Sequence, residues 1–236
     1  MTLSHSKSES FRIFDAISDR YDLINTVLSG GLHYIWRKAL RSALPQRFDS
    51  LRVLDLATGT ADVALEVCKD ERVQSVRGLD MSKGMIAYGE RKVEKKGLSS
   101  KIELLVGDAQ HIPFADESFE ATTMSFGIRN VPDVVACLRE SHRVLRSGGR
   151  CLVLEFALPR SRIIRSFHLF YLRNVLPLLG RWLSGHQTAY TYLNETIEEF
   201  PYGEDFLALM RRAGFKQPQF KSLTGGIVHL YWGDKT

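Results

Sequence analysis

Val53-Leu54-Asp55-Leu56-Ala57-Thr58-Gly59-Thr60-Ala61-Asp62, followed by Gly78-Leu79-Asp80, decides the fold. A hydrophobic strand ends in an acid, a tight turn of small residues follows, and a second strand ends in another acid. In an open parallel sheet, ligands sit beyond the carboxyl ends of the strands. Small residues at the first strand–helix turn let a ligand approach the backbone closely. An acid at the tip of the second strand can accept both hydroxyls of a ribose. Asp108 adds a third acid, in Val106-Gly107-Asp108-Ala109, just after the strand-like run Ile102 to Val106. Three acid-bearing strand ends in the first half of a fold are hard to explain by packing, and they lay out a nucleoside site.

The turn also limits which nucleoside. Dinucleotide folds use G-x-G-x-x-G so that a pyrophosphate rests on bare amides at a helix N-terminus. Here Gly59 stands alone between Thr58 and Thr60, and no P-loop lysine follows. The turn suits a ligand without phosphates. The acid-turn-acid pattern resembles the class I methyltransferases, which bind S-adenosylmethionine, although Thr58 and Ala61 stand where their turn usually has glycine.

Outside this motif the strand-like runs are Arg52–Ala57, Ser75–Asp80, Lys101–Val106, Phe119–Phe126 and Arg150–Ala157. Helix-like stretches Asp62–Asp70, Ser82–Lys96 and Val131–Arg146 alternate with them, and Gly97 and Gly148-Gly149 read as helix stops. The alternation predicts an α/β fold with a doubly wound, mostly parallel sheet. Apolar strands such as Cys151-Leu152-Val153-Leu154 fit burial on both faces. Before this core, residues 1–48 read as helical, with Leu32–Leu44 as an amphipathic stretch after the Gly30-Gly31 break, ended by Pro45. After it, residues 158–215 form a helical insertion containing the long aromatic, basic run Ile163–Leu183, and Glu204–Ala213 reads as another helix. Gln217–Leu223 and Ile227–Trp232, joined through Gly225-Gly226, predict an antiparallel edge hairpin over residues 216–233, closing a seven-stranded sheet. One domain, 1–236, with 51–157 as its cofactor-binding core, accommodates all of this.

Composition restricts the setting. The 236 residues are 44% hydrophobic and 25% charged, ordinary for a globular chain, and the net charge of +5 permits an anionic partner without demanding one. Cys68, Cys137 and Cys151 have no metal-site spacing and fit a reducing compartment. The polar stretch Met1–Ser10 has no secretory apolar segment, and no window holds ~18 uninterrupted apolar residues. The expected location is cytoplasmic.

Several segments, in order, resemble the ubiquinone/menaquinone biosynthesis C-methyltransferases. They are Tyr21-Asp22-Leu23-Ile24-Asn25 with Ser29, His33 and Trp36; Gly107-Asp108-Ala109 with Ile112-Pro113-Phe114 and Ser118-Phe119; and Ser125-Phe126-Gly127-Ile128-Arg129-Asn130-Val131. Arg143-Val144-Leu145, Gly148-Gly149-Arg150, Leu154-Glu155-Phe156, Ala189-Tyr190-Thr191-Tyr192-Leu193 and Phe200-Pro201 complete the series. The resemblance runs from about Phe14 to Trp232. Ile24 stands for a usual methionine, Arg146-Ser147 for lysine-proline, and Ala157 for serine.

The resemblance implies S-adenosylmethionine as cofactor and a prenylated quinol as substrate. On the cofactor side it implies Thr60 in the first turn, Asp80 at the ribose, Asp108 with Ala109 by the adenine, and Ser125 at the tip of the fourth strand. Asp55 and Gly59 join the cofactor candidates from the strand–turn motif itself. On the substrate side it implies Arg129 and Asn130, with Tyr21, Asp22 and His33 from an N-terminal helical lid. An aromatic carbon is a poor nucleophile until the neighbouring hydroxyl gives up its proton. The reaction therefore needs proximity, a proton acceptor and a group that stabilises the oxyanion. Arginine is too basic to be a free base, so its role would be electrostatic. Histidine ordinarily titrates near neutrality, which makes His33 the candidate proton acceptor. No metal is required. Within the family the demethylmenaquinol reaction is the more general one, so the expected conversion is demethylmenaquinol to menaquinol, with the 2-methoxy-6-polyprenyl-1,4-benzoquinol reaction of ubiquinone synthesis as the alternative.

The run Ile163–Leu183, with large apolar residues and spaced arginines, fits a tail groove and a peripheral membrane contact on the inner face of the cell membrane. Burial in the domain or in a homodimer would use the same stripe. A nucleic-acid substrate is not expected. Amino-methylating enzymes of that class carry Asn/Asp-Pro-Pro-aromatic after the fourth strand, where this chain has Ser125-Phe126-Gly127-Ile128, and Cys137 lies inside a helix-like segment. A small-molecule O- or N-methyltransferase and a non-catalytic scaffold on the same fold are the remaining rivals.

Overall fold

The computed structural model describes residues 21–175 and 196–236. Two helices come first, α1 (Tyr21–Ser29) and α2 (Leu32–Ser42). They break at Gly30 and Gly31, whose φ values of +55° and +79° are left-handed. Then follow β1 (Leu51–Leu56), α3 (Asp62–Val67), β2 (Val73–Asp80), α4 (Lys83–Lys95), β3 (Ile102–Val106) and β4 (Phe119–Ser125). α5 (Val134–Val144), β5 (Leu145–Phe156), α6 (Arg162–Phe170), α7 (Glu204–Arg212), β6 (Lys216–Leu223) and β7 (Val228–Asp234) complete the order.

The seven strands form one sheet in the order β3-β2-β1-β4-β5-β7-β6. β1 to β5 are parallel, and β7 runs antiparallel to both β5 and β6. β1 has β2 on one side and β4 on the other, so the chain reverses its winding direction there. That switch opens a crevice beyond the strand ends, where open α/β sheets place ligands.

Alternate residues of the central strands feed two cores. Leu54 and Leu56 of β1 join Phe119, Leu138 and Phe206 on one face, while Leu51 and Val53 join Trp36, Leu40 and Ala64 on the other. α2 thus buries its apolar stripe on the sheet. Arg37 of α2 pairs with Asp62 at 2.7 Å, and Trp36 donates from Nε1 to Thr224 Oγ1 at 2.7 Å. α1 packs through Ile24 with Leu172 and Ile197, and Tyr171 donates from its hydroxyl to the Leu28 carbonyl at 2.6 Å.

Two sequence expectations need correction. The helix expected from Val131 begins at Val134, because Pro132 keeps Val131 extended (φ −73°, ψ 129°) and Asp133 caps the helix by accepting from the Ala136 N–H at 2.9 Å. Gly148-Gly149 do not stop that helix but lie within β5. The long run from Ile163 is α-helical to Phe170 and continues as a π-helix over Tyr171–Val175, as its helical reading expects. Its remainder, with Trp182 and the 189–193 segment, falls outside the described residues, as does everything before Tyr21.

Candidate active site

The turn after β1 is built from three left-handed residues, Ala57, Gly59 and Ala61, with φ of +50°, +55° and +65°. Only glycine adopts this region freely, so each alanine costs on the order of 1–2 kcal/mol. The contacts around the turn hold it in that conformation. Thr58 donates its N–H to the Leu79 carbonyl at 3.1 Å. Asp55 stands opposite Thr123 in the β1–β4 register and accepts from Thr123 at 2.6 Å and from Thr58 at 2.6 Å. Its burial pushes its pKa up to about 6, against the lowering effect of those two hydroxyls. Asp55 is therefore a brace under the turn.

Beyond the turn lies a cavity of about 240 Å³. Asp80 stands at its wall, with Oδ2 accepting from Gly59 N–H at 2.8 Å and Oδ1 from Ser82 N–H at 2.9 Å. Two backbone amides thus fix the carboxylate at the cavity wall. Asp108, with Ala109, lines the same space and is oriented by the Gln110 N–H at 2.8 Å. Ser125 also lines it, and its Oγ is buried without a hydrogen-bond partner among the described residues. Gly127 lets β4 turn here, since a Cβ on it would stand 2.5 Å from Ala57 Cβ.

A second cavity of about 540 Å³ adjoins the first. Tyr21 and Phe126 line both. Trp36, Phe126 and Phe156 form an aromatic wall, with ring centroids 4.5 Å apart for Phe126–Phe156 and 5.7 Å for Trp36–Phe126. Ile164, Phe167 and Leu172 extend the apolar lining. The polar groups are few: Tyr21, Asn25, Ser29, His33, Arg37, Arg129, His168 and Tyr171, whose hydroxyl is engaged by the Leu28 carbonyl. Arg129 is held from behind, as Nη1 donates to Glu155 Oε1 at 2.8 Å and to the Phe126 carbonyl at 2.6 Å. Its guanidinium lies 5.5 Å from the Phe156 ring centroid, and Nε is buried without a partner among the described residues.

The structure sorts the expected site residues into three groups. Gly59, Asp80, Asp108, Ala109, Ser125 and Asn130 line the smaller cavity, while His33 and Arg129 line the larger one and Tyr21 lines both. Asn130 was expected beside Arg129 on the substrate side. The 3₁₀ turn Ile128–Asn130 instead directs the two neighbours to different cavities. Thr60, Asp22 and Asp55 line neither cavity. Thr60 donates to Asp22 Oδ1 at 2.6 Å, and Lys92 Nζ reaches Asp22 and Asp62 at 2.5 Å each. Thr60 and Asp22 therefore join the cofactor turn to α1. His33 also departs from expectation. Burial first, and Arg37 second, push its pKa down to about 4, away from neutrality. Tyr21 titrates above its ordinary value, chiefly through burial.

Glu155, Arg37, Trp36 and Lys92 were not singled out from sequence for these roles. Glu155 had a readable signal, since it is the lone acid in Cys151-Leu152-Val153-Leu154-Glu155-Phe156. Lys92 had none, being one base in a charged helix.

Comparison with known proteins fits this geometry. Residues 2–235 match the model of the ubiE/COQ5 methyltransferase family. The ubiquinone/menaquinone biosynthesis C-methyltransferase UbiE of Sinorhizobium fredii is 40% identical over 225 residues, covering 94% of this chain and 87% of the relative. The protein of the same name in Geotalea uraniireducens is 41% identical over 228 residues, covering 94% of each. Among solved structures, a SAM-dependent methyltransferase of Thermotoga maritima, described as a possible histamine N-methyltransferase, superposes with a TM-score of 0.65 at 18% identity. That match covers 96% of this chain and all of the other. A putative S-adenosyl-L-methionine-dependent methyltransferase of Methanococcus maripaludis gives a TM-score of 0.63 at 18% identity, covering 93% of this chain and 92% of the other. At these identities the superpositions establish the fold.

Proposed function

From the premise that this chain belongs to the ubiE/COQ5 methyltransferase family, we propose that it methylates a ring carbon of demethylmenaquinol to give menaquinol. It is a UbiE-type quinone-biosynthesis C-methyltransferase, and S-adenosylmethionine is its cofactor. The observation that carries the proposal is the pair of adjoining cavities sharing Tyr21 and Phe126, with a buried guanidinium in the apolar one. The smaller cavity has the donors and acceptors a nucleoside needs: a fixed carboxylate at Asp80, a second acid at Asp108 and the orphaned Ser125 Oγ. The larger one suits a ring with a hydrocarbon tail.

When bound, the cofactor supplies an electrophilic methyl on a sulfonium. Asp80 would hold its ribose hydroxyls, Asp108 with Ala109 the adenine side, and Ser125 and Asn130 the end nearest the larger cavity. Arg129 would face the ring oxygen and stabilise the negative charge that develops as the hydroxyl loses its proton. Glu155 fixes that guanidinium. Tyr21, which lines both cavities, would close the space between the two ligands and exclude water, with the Asp22–Lys92–Thr60 contacts tying its helix to the cofactor turn. The aromatic wall of Trp36, Phe126 and Phe156 offers more contact to a fused bicyclic ring than to a single methoxylated one, which favours the naphthoquinol over the benzoquinol. Ile163, Phe167 and Phe170 project from α6 at 71%, 73% and 61% exposure beside Arg162 and Arg165. This face is the proposed peripheral membrane contact, through which the tail would enter. Among the described residues no helix is long and apolar enough to cross a membrane.

The test is quinone profiling by mass spectrometry in a methyltransferase-deficient host. Demethylmenaquinone should disappear on complementation with the wild-type gene and persist with Arg129→Ala or Asp80→Ala. An unchanged quinone pool would refute the carbon-methyltransferase reading, and restoration of ubiquinone alone would assign the benzoquinol.

A further inference from the structure

We propose that His33 reads the oxidation state of the ring: its Nε2 accepts a hydrogen bond from a ring hydroxyl, so the hydroquinone is held in preference to the quinone. The inference rests on the quinol reading above and deepens it.

One hydrogen atom fixes the tautomer of His33. Ser29 Oγ lies 2.7 Å from the Asn25 carbonyl oxygen and 2.6 Å from His33 Nδ1. A serine hydroxyl carries a single hydrogen, and a carbonyl oxygen can only accept. The hydrogen therefore points to Asn25, because the opposite assignment would press two oxygen lone pairs together at 2.7 Å. Ser29 Oγ is then an acceptor toward His33, and Nδ1 must carry the imidazole hydrogen. In the neutral ring this leaves Nε2 as a bare acceptor. Nε2 has no hydrogen-bond partner among the described residues, and His33 lines the larger cavity.

The surroundings keep the ring neutral. His33 is buried, has the Tyr34 ring tilted against it with centroids 4.0 Å apart, and faces the charge of Arg37 on its own helix. Lys92 of α4 acts in the same sense, while Asp62 of α3 and Asp22 of α1 oppose it. The net effect is a pKa pushed down to about 4.

A neutral acceptor discriminates where the other polar groups do not. Arg129 and Arg37 only donate, and a guanidinium bonds a hydroxyl oxygen and a carbonyl oxygen alike. Tyr21 and Asn25 can donate or accept. Nε2 of His33 can only accept, so it pairs with the O–H of a hydroquinone and faces the C=O of a quinone lone pair to lone pair. A buried site built around a substrate hydroxyl rejects the analogue lacking it more strongly than an apolar pocket rejects a change of size. Only the hydroquinone ring is nucleophilic enough to take a methyl, so the selection serves the reaction. His168 also lines the cavity and has a buried Nε2, but among the described residues Nε2 has no partner and no contact fixes its tautomer. It is the control.

The experiment measures anaerobic equilibrium binding of a short-tailed 2-prenyl-1,4-naphthoquinone in its oxidised and dithionite-reduced forms, with S-adenosylmethionine affinity as the check of fold. The wild type should bind the reduced form roughly tenfold more tightly. In His33→Phe the ratio should fall toward one, with cofactor affinity kept. His33→Gln, whose amide oxygen can accept, should retain part of the ratio. Ser29→Ala should lower it, because nothing then pins the tautomer, and it carries the test should His33→Phe not fold. The ratio should also fall as pH drops toward about 4 and the ring gains its second hydrogen. An unchanged ratio in His33→Phe and Ser29→Ala, or loss of the ratio in His168→Phe instead, overturns the proposal. If the wild type binds neither form, the quinol reading itself is wrong and the proposal falls with it.

Discussion

Replacing Glu155 by leucine should cost more stability than replacing Arg129 by methionine, although the two residues form one ion pair. The side chains are 1% and 6% exposed, with Nη1 and Oε1 2.8 Å apart. Glu155→Leu strands a guanidinium that cannot lose its proton, so the expected cost is about 3–5 kcal/mol. Arg129→Met strands a carboxyl that can neutralise itself. Burial already outweighs the pull of Arg129 and raises the Glu155 pKa above its ordinary value. A neutral carboxyl still accepts the Phe156 N–H at 2.9 Å, so the expected cost is about 1–3 kcal/mol. An acid with a raised folded-state pKa contributes stability below its unfolded pKa and loses it as pH rises through the folded one. The Arg129→Met deficit should therefore widen from pH 5 to pH 8. The double variant removes both charges and should lie within about 2 kcal/mol of the wild type, a coupling of at least about 2 kcal/mol. Urea unfolding followed by circular dichroism at both pH values measures all four corners of the cycle. All three variants should lose methyl transfer, which separates function from stability. If the single costs add in the double variant within about 0.5 kcal/mol, the pair is not coupled and the reasoning is wrong.

Asp80→Ala removes the carboxylate that Gly59 and Ser82 orient and should weaken S-adenosylmethionine binding on the order of a hundredfold by isothermal titration calorimetry, with a tenfold or smaller loss counting against the ribose assignment. Asp55, with its pKa raised to about 6, contributes stability below about pH 4 that is lost on rising through pH 6. That is on the order of 3 kcal/mol, and Asp55→Asn should flatten denaturation midpoints between pH 4 and 7. Gly127→Ala places a Cβ 2.5 Å from Ala57 Cβ and should destabilise the fold by ~1–3 kcal/mol. An unchanged melting temperature would mean that the turn yields freely.

The motif around Asp55 and Asp80 made the sheet legible because an open α/β fold puts its ligand at strand ends, and strand ends are marked locally by small residues and acids. Errors arose where two local rules competed. Pro132 beside a helical pattern delayed α5 to Val134, and Gly148-Gly149, read as a helix stop, entered β5. Side-chain direction was harder to read. Arg129 and Asn130 are adjacent in sequence, yet a 3₁₀ turn sends them to different cavities. Thr60 sits in the cofactor turn, yet its hydroxyl bonds Asp22 of α1.

By itself the sequence determined the strand order's hydrophobic pattern, the three acids at strand ends and the aromatic and basic character of the region after β5, because each depends on residues within a few positions of one another. Only the tertiary structure decided which polar groups share a cavity. Glu155 became the partner of Arg129 across 26 residues, Lys92 reached Asp22 across 70, and burial beside Arg37 moved His33 away from neutrality. Desolvation and charge pairing act through space in a medium of low dielectric, and their strength is set by distances that only the folded chain brings into being.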